Sequence, residues 1–108
     1  MECVMAEPNT AYDLWLEGVD ESRLADYPSA IEKFKKSVEL DHTFKRSYES
    51  WAEALLNTEN PDAALAELQR EIETYFDKAT AHYIIGNSYV RLNKYEKAIE
   101  AFKQAICQ

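Results

Sequence analysis

Gly18 and Gly86 are the only glycines in the chain, 68 residues apart, and Ala52 stands halfway between them. A small residue returning every 34 positions marks one supersecondary unit repeated in tandem. Its neighbours return with it: Ala30, Ala64 and Ala98; Ile31, Leu65 and Ile99; Phe34, Leu68 and Phe102; Val38, Ile72 and Ile106. Three copies occupy residues 11–44, 45–78 and 79–108 without an insertion, behind an N-terminal tail at 1–10.

Each copy divides into two amphipathic segments. In the third, Tyr83, Gly86, Tyr89 and Val90 share one helical face, and Ala98, Ile99, Phe102 and Ile106 share another. The four residues between these faces, Leu92 to Tyr95, allow only a tight turn, so the two helices are antiparallel neighbours. Asn60-Pro61 reads as a cap and first helical residue, and Asp26 with Pro28 plays the same part earlier. The spacing predicts helices near 11–24, 28–41, 45–58, 61–75, 79–92 and 95–107. A mid-helix glycine costs about 1 kcal/mol relative to alanine, so Gly18 and Gly86 call for a compensating close approach. Phe34 and Phe102 are the rings expected to fill that space. By the same logic, leucine at Ala64 or Ala98 overpacks its helix pair by about 1–3 kcal/mol. One helix pair cannot bury its apolar faces alone. The expected fold is therefore all-α, a right-handed solenoid of three antiparallel helix pairs.

The run His82-Tyr83-Ile84-Ile85-Gly86-Asn87-Ser88-Tyr89, followed by Tyr95, Ala98, Phe102 and Ala105, resembles a tetratricopeptide repeat. The first copy fits through Gly18, Tyr27, Ala30, Phe34 and Asp41, and the second more loosely through Trp51, Ala52, Leu55, Ala64 and Leu68. The resemblance implies a superhelix whose first helices line a concave groove for a peptide or a partner's helix. It also implies a non-catalytic adaptor.

The candidate groove residues recur along those first helices: Tyr12, Trp15, Val19 and Arg23; Glu49, Glu53, Leu56 and Asn57; Tyr83, Asn87, Val90 and Arg91. An aromatic and aliphatic strip flanked by Asn and Arg suits a peptide, with rings burying side chains and polar groups pairing the backbone. Tyr12, Trp15, Leu16 and Val19 also stand at helical spacing, so this first helix faces either the groove or the core. Some relatives of the family grip acidic chaperone tails with Lys, Arg and Asn. The matching places here hold Trp15, Val19, Ser50, Thr80 and Ile84, none of which binds a carboxylate by charge. Glu49 and Glu53 favour a neutral or basic ligand.

The two ends of the repeat differ. Glu17 and Glu21 stand where later copies have Trp51 with Leu55 and Ile85 with Tyr89, giving the front a polar outer face. At the rear, Ile99, Phe102 and Ile106 leave an apolar surface suited to self-association. Three readings of that end stay open: a cut from a longer solenoid, a docking surface, or an end a small domain tolerates.

Composition narrows the classes. A net charge of -8 disfavours nucleic-acid binding, and the negative charge falls on the tail and first two copies, the third being +2. The Lys33, Lys35, Lys36 run then reads as a solvated helix face. No stretch approaches a membrane span, and the start lacks the blocks of a secretory signal. Cytoplasm is the expected location. Cys3 and Cys107 are read as free thiols, with a disulfide as the other option. His42 and His82 lack metal-ligand spacing, and two glycines cannot build a phosphate-cradling loop. Neither cofactor nor metal is expected, and the sequence suggests no enzyme.

Overall fold

A computed structural model describes residues 10–107 and contains six helices: α1 (Ala11–Arg23), α2 (Tyr27–Leu40), α3 (Lys45–Leu55), α4 (Pro61–Tyr75), α5 (Lys78–Arg91) and α6 (Tyr95–Ile106). No strand occurs among the described residues. Consecutive helices pack as antiparallel pairs, and the pairs stack into a body 55 × 27 × 19 Å across. This is an all-helical solenoid. Most of the tail expected at 1–10 lies outside the described residues. Thr10 itself caps α1, its hydroxyl accepting a bond from the Asp13 amide at 3.0 Å.

The period appears in space as a notch. The Phe34 ring, fully buried, fits against Gly18, and the Phe102 ring fits against Gly86. A Cβ at Gly86 would sit 2.5 Å from Phe102 Cε1, and one at Gly18 would collide with the same ring atom of Phe34. Glycine therefore lets α1 close on α2 and α5 on α6 by admitting an aromatic ring between backbones. Both pairs share a three-residue turn whose middle residue, Ala25 or Asn93, takes a left-handed conformation at φ 62° or 61°.

The middle pair is built otherwise. Ala52 keeps its methyl where the glycines have none, and Leu68 replaces the ring. Helix α3 stops at Leu55, short of the end predicted near residue 58, and a longer turn leads to Pro61. Asn60 is the N-cap of α4, but its side chain makes no capping bond. The result is that α3 and α4 meet over a much shorter length than the outer pairs. A cleft of about 270 Å³ opens beside them, lined by Ile31, Trp51, Leu55, Ala64 and Leu68 and edged by Lys35, Glu67 and Glu71. Half-buried Ala64 borders this space, which corrects the expected overpacking there: a leucine would enter the cleft. Ala98, 2% exposed, has no such room.

The core runs through Phe34, Val38, Tyr48, Trp51, Leu65, Leu68, Ile72 and Ile84. A buried polar link crosses the first junction. Ser37 Oγ donates to the Ala11 carbonyl at 2.8 Å and so accepts from Ser47 Oγ at 2.6 Å. The buried Tyr48 hydroxyl has no hydrogen-bond partner among the described residues.

Candidate functional site

Helices α1, α3 and α5 lie side by side, but unevenly. α3 and α5 touch along much of their length, where small Ser88 fits between them and its hydroxyl donates to the Glu49 carbonyl at 3.1 Å. α1 and α3 meet at fewer places. Between them opens a cleft of about 390 Å³. Phe34 forms its floor, Trp15, Val19, Tyr27 and Leu92 its apolar walls, and Ser22, Arg23, Glu53, Asn57 and Arg91 its polar rim.

Trp15 holds the mouth of this cleft in shape. Its indole N–H donates to Ser50 Oγ at 2.9 Å, and the Arg46 guanidinium lies 5.2 Å from the ring centre. Tyr12 and Phe44 pack beside it at 5.7 and 6.4 Å. The two readings of α1 are thus not exclusive: half-buried Trp15 and Val19 pack on the core and line the cleft together. Leu14, with Ala11 and Gly18, forms the buried face of the helix.

The rim is electrostatically paired. Arg91 reaches across from α5 to Glu53 at 2.8 Å and Glu49 at 3.6 Å. Burial lifts the Glu53 carboxyl above its ordinary range, and the Arg91 charge partly offsets that. One guanidinium between two carboxylates leaves this cluster with an excess of negative charge, while Arg23 adds a positive group elsewhere on the rim. Arg23, by contrast, is well exposed and only loosely near Asp20, at 3.7 Å.

Of the twelve groove residues read from the sequence, Trp15, Val19, Arg23, Glu53, Asn57 and Arg91 converge on this cleft. Glu49 joins through Arg91. Tyr12 lies beside the mouth, 47% exposed. Leu56 packs half-buried on the core. Tyr83, Asn87 and Val90 are not among the residues lining the cleft, and the Tyr83 ring lies 5.8 Å from Phe102. Tyr27, Phe34, Ser50, Ala54 and Leu92 were absent from the sequence-based set. Their signal was only helical spacing, and which spaced residues border an open gap depends on how far two helices diverge.

On α6, Ile99 and Ile106 are exposed, whereas Phe102 is half-buried in the Gly86 notch. Phe102 is thus part of the packing of its own pair. The front carboxylates also gain a partner that spacing did not reveal: Lys33 bridges Glu21 at 3.0 Å and Glu17 at 3.1 Å. That changes the reading of the lysine run. Lys33 turns inward to these acids, Lys35 lies over the Trp51 ring, and Lys36 is exposed. His42 stacks on Tyr75 at 4.0 Å, and His82 sits half-buried near Gln69. Cys107 is an exposed free thiol, while Cys3 and any disulfide to it lie outside the described residues. Among the described residues no group of three or more His, Cys, Asp or Glu could hold a metal ion, and no helix is long and apolar enough to cross a membrane.

No curated protein matches the chain. A family model described as tetratricopeptide repeat matches residues 49–108, and this match to more than half the sequence accords with the glycine notches and stacked helix pairs. The chain belongs to the tetratricopeptide repeat family.

Proposed function

We propose that the chain is a non-catalytic binding module that holds an extended or helical segment of a partner protein along α1, α3 and α5. Domains of this family generally mediate protein–protein interactions, and the cleft between α1 and α3 is the observation that carries the finer reading. Its volume of about 390 Å³ has room for one large apolar side chain, with Phe34, Trp15 and Tyr27 in its apolar lining and polar groups around them. Such a pocket ringed by polar groups is the arrangement of an anchor site. The Glu49–Arg91–Glu53 cluster favours a neutral or basic segment over an acidic one. Cytoplasm remains the proposed location, without cofactor, nucleic acid or membrane as partner.

The test uses random 12-residue peptides displayed on phage and selected on the full chain. Selected peptides are expected to share an apolar anchor, to quench tryptophan fluorescence on titration, and to bind Val19→Glu and Trp15→Ala about tenfold more weakly or worse. Asn57→Ala and Arg91→Ala should show smaller losses. Equal affinity for all four variants, with helical circular dichroism retained, would reject the groove.

A second role, self-association through α6, is favoured by one specific feature: Ile99 and Ile106 are 53% and 82% exposed on the same helix. Exposed apolar residues at that spacing suit an interface.

A further inference from the structure

The outer face of α6 repeats a face whose covering is visible elsewhere in the molecule. Ile31, Lys35 and Val38 of α2 are the counterparts, 68 residues earlier, of Ile99, Lys103 and Ile106. On α2 that face receives antiparallel α3, with Trp51 beside Ile31 and Lys35 over the Trp51 ring. An antiparallel helix with apolar groups is therefore the shape that fits α6.

Resting on the self-association reading, we propose that the occupant is α6 of a second copy, docked antiparallel about a twofold axis. Two observations choose this over head-to-tail stacking. First, α1 is the element that would dock head to tail, and it presents Asp13, Glu17 and Glu21 where α3 has Ser47, Trp51 and Leu55. Those carboxylates would lie on Ile99 and Ile106, and Glu17 and Glu21 are already committed to Lys33. Burying them against isoleucine is costly. Second, α6 is complementary to itself: it carries Glu96 in its first turn and Lys103 in its last. These residues are seven apart, so they share a helix face on either side of Ile99. An antiparallel pair centred beside Ile99 sets Glu96 of each copy against Lys103 of the other and brings the two Ile99 side chains together. The closed twofold contact limits assembly at the dimer, whereas head-to-tail contact continues into filaments. A 12-residue helix is about 18 Å long, so the interface is small and the dimer weak, with a Kd on the order of 100 μM.

Sedimentation equilibrium of the full chain tests this. The average mass should rise with concentration from 12.5 kDa and level off at the dimer. Ile99→Glu should hold the chain monomeric with unchanged circular dichroism, and Ile106→Glu, opposite the turn that precedes the partner's α6, should weaken the dimer less. Glu96→Lys should weaken the dimer about 5–10-fold, and adding Lys103→Glu should restore it. A parent that stays monomeric overturns self-association as a whole. A mass that grows past the dimer and falls back with Glu17→Lys overturns the twofold geometry alone. A dimer that survives Ile99→Glu undiminished places the contact elsewhere and overturns the proposal.

Discussion

The outer helix pairs and the middle pair share one sequence register yet pack differently. In the outer pairs a glycine faces a phenylalanine, the ring enters the notch, and a three-residue turn joins the helices. In the middle pair an alanine faces a leucine, α3 ends early, and α4 stands away behind an open cleft. The comparison teaches that the small-residue position is not satisfied by smallness alone. One methyl group, together with loss of the ring, changes how closely two helices approach.

The largest effect expected from this contrast follows from emptying a notch. Phe34→Ala should cost about 3–5 kcal/mol, because the ring is fully buried. Phe102→Ala should cost less, its ring being half-buried. Urea unfolding followed by circular dichroism measures both, and equal losses would break the distinction between the inner and terminal notches.

Leucine scanning separates the pairs next. Ala98→Leu should destabilise by about 1–3 kcal/mol through overpacking. Ala64→Leu should be neutral or stabilising, since it grows into the cleft beside Leu68. A loss at Ala64 as large as at Ala98 would mean that the middle pair is closed in solution. Hydrogen exchange sharpens the same point: amides of α4 should open at lower free energy than those of α2.

Alkaline pH reports on the α1–α2 pair through Lys33 and on the core around α3 through Tyr48. Burial, aided by the nearby Glu71 charge, pushes the Tyr48 phenol up to about 12. Hydrogen bonds to Glu21 and then Glu17 raise Lys33. Both groups hold protons more tightly when folded, so their contributions are complete below about pH 10 and decline as the pH rises toward 12. Melting temperatures across that range should fall. Tyr48→Phe should remove the tyrosine part of the slope and gain about 1 kcal/mol at neutral pH, because the buried hydroxyl has no partner. An unchanged slope would contradict the assignment.

The smallest effect concerns the turns. Ala25 adopts a left-handed conformation that Asn93 occupies in the matching turn, so Ala25→Asn should stabilise by up to about 1 kcal/mol. Glu59, in the longer middle turn, is not among the non-glycine residues with positive φ. Glu59→Asn should leave the melt unchanged.

Much of this architecture is legible from spacing. Gly18, Ala52 and Gly86 set the register, and all six helices fall where apolar periodicity places them. What escapes is whatever two distant residues decide jointly. Ala52 looks like a mild variant of glycine until Leu68 is placed opposite it. Ser37 and Ser47 read as neutral helix residues, and only stacking brings their hydroxyls together against the Ala11 carbonyl. Lys33 seems one of a solvated run until α1 supplies Glu17 and Glu21. The groove residues were partly visible for the same reason. Periodicity puts Trp15, Val19, Glu53 and Arg91 on inward faces, but the unequal spacing of α1, α3 and α5 selects the cleft.

A double-mutant cycle on Gly18 and Phe34 tests the notch most directly. Gly18→Ala alone should destabilise by about 1–3 kcal/mol despite alanine's better helix propensity. In the Phe34→Leu background the same change should cost little or become favourable, giving a coupling of about 1–2 kcal/mol. Strict additivity of the two substitutions would contradict the account.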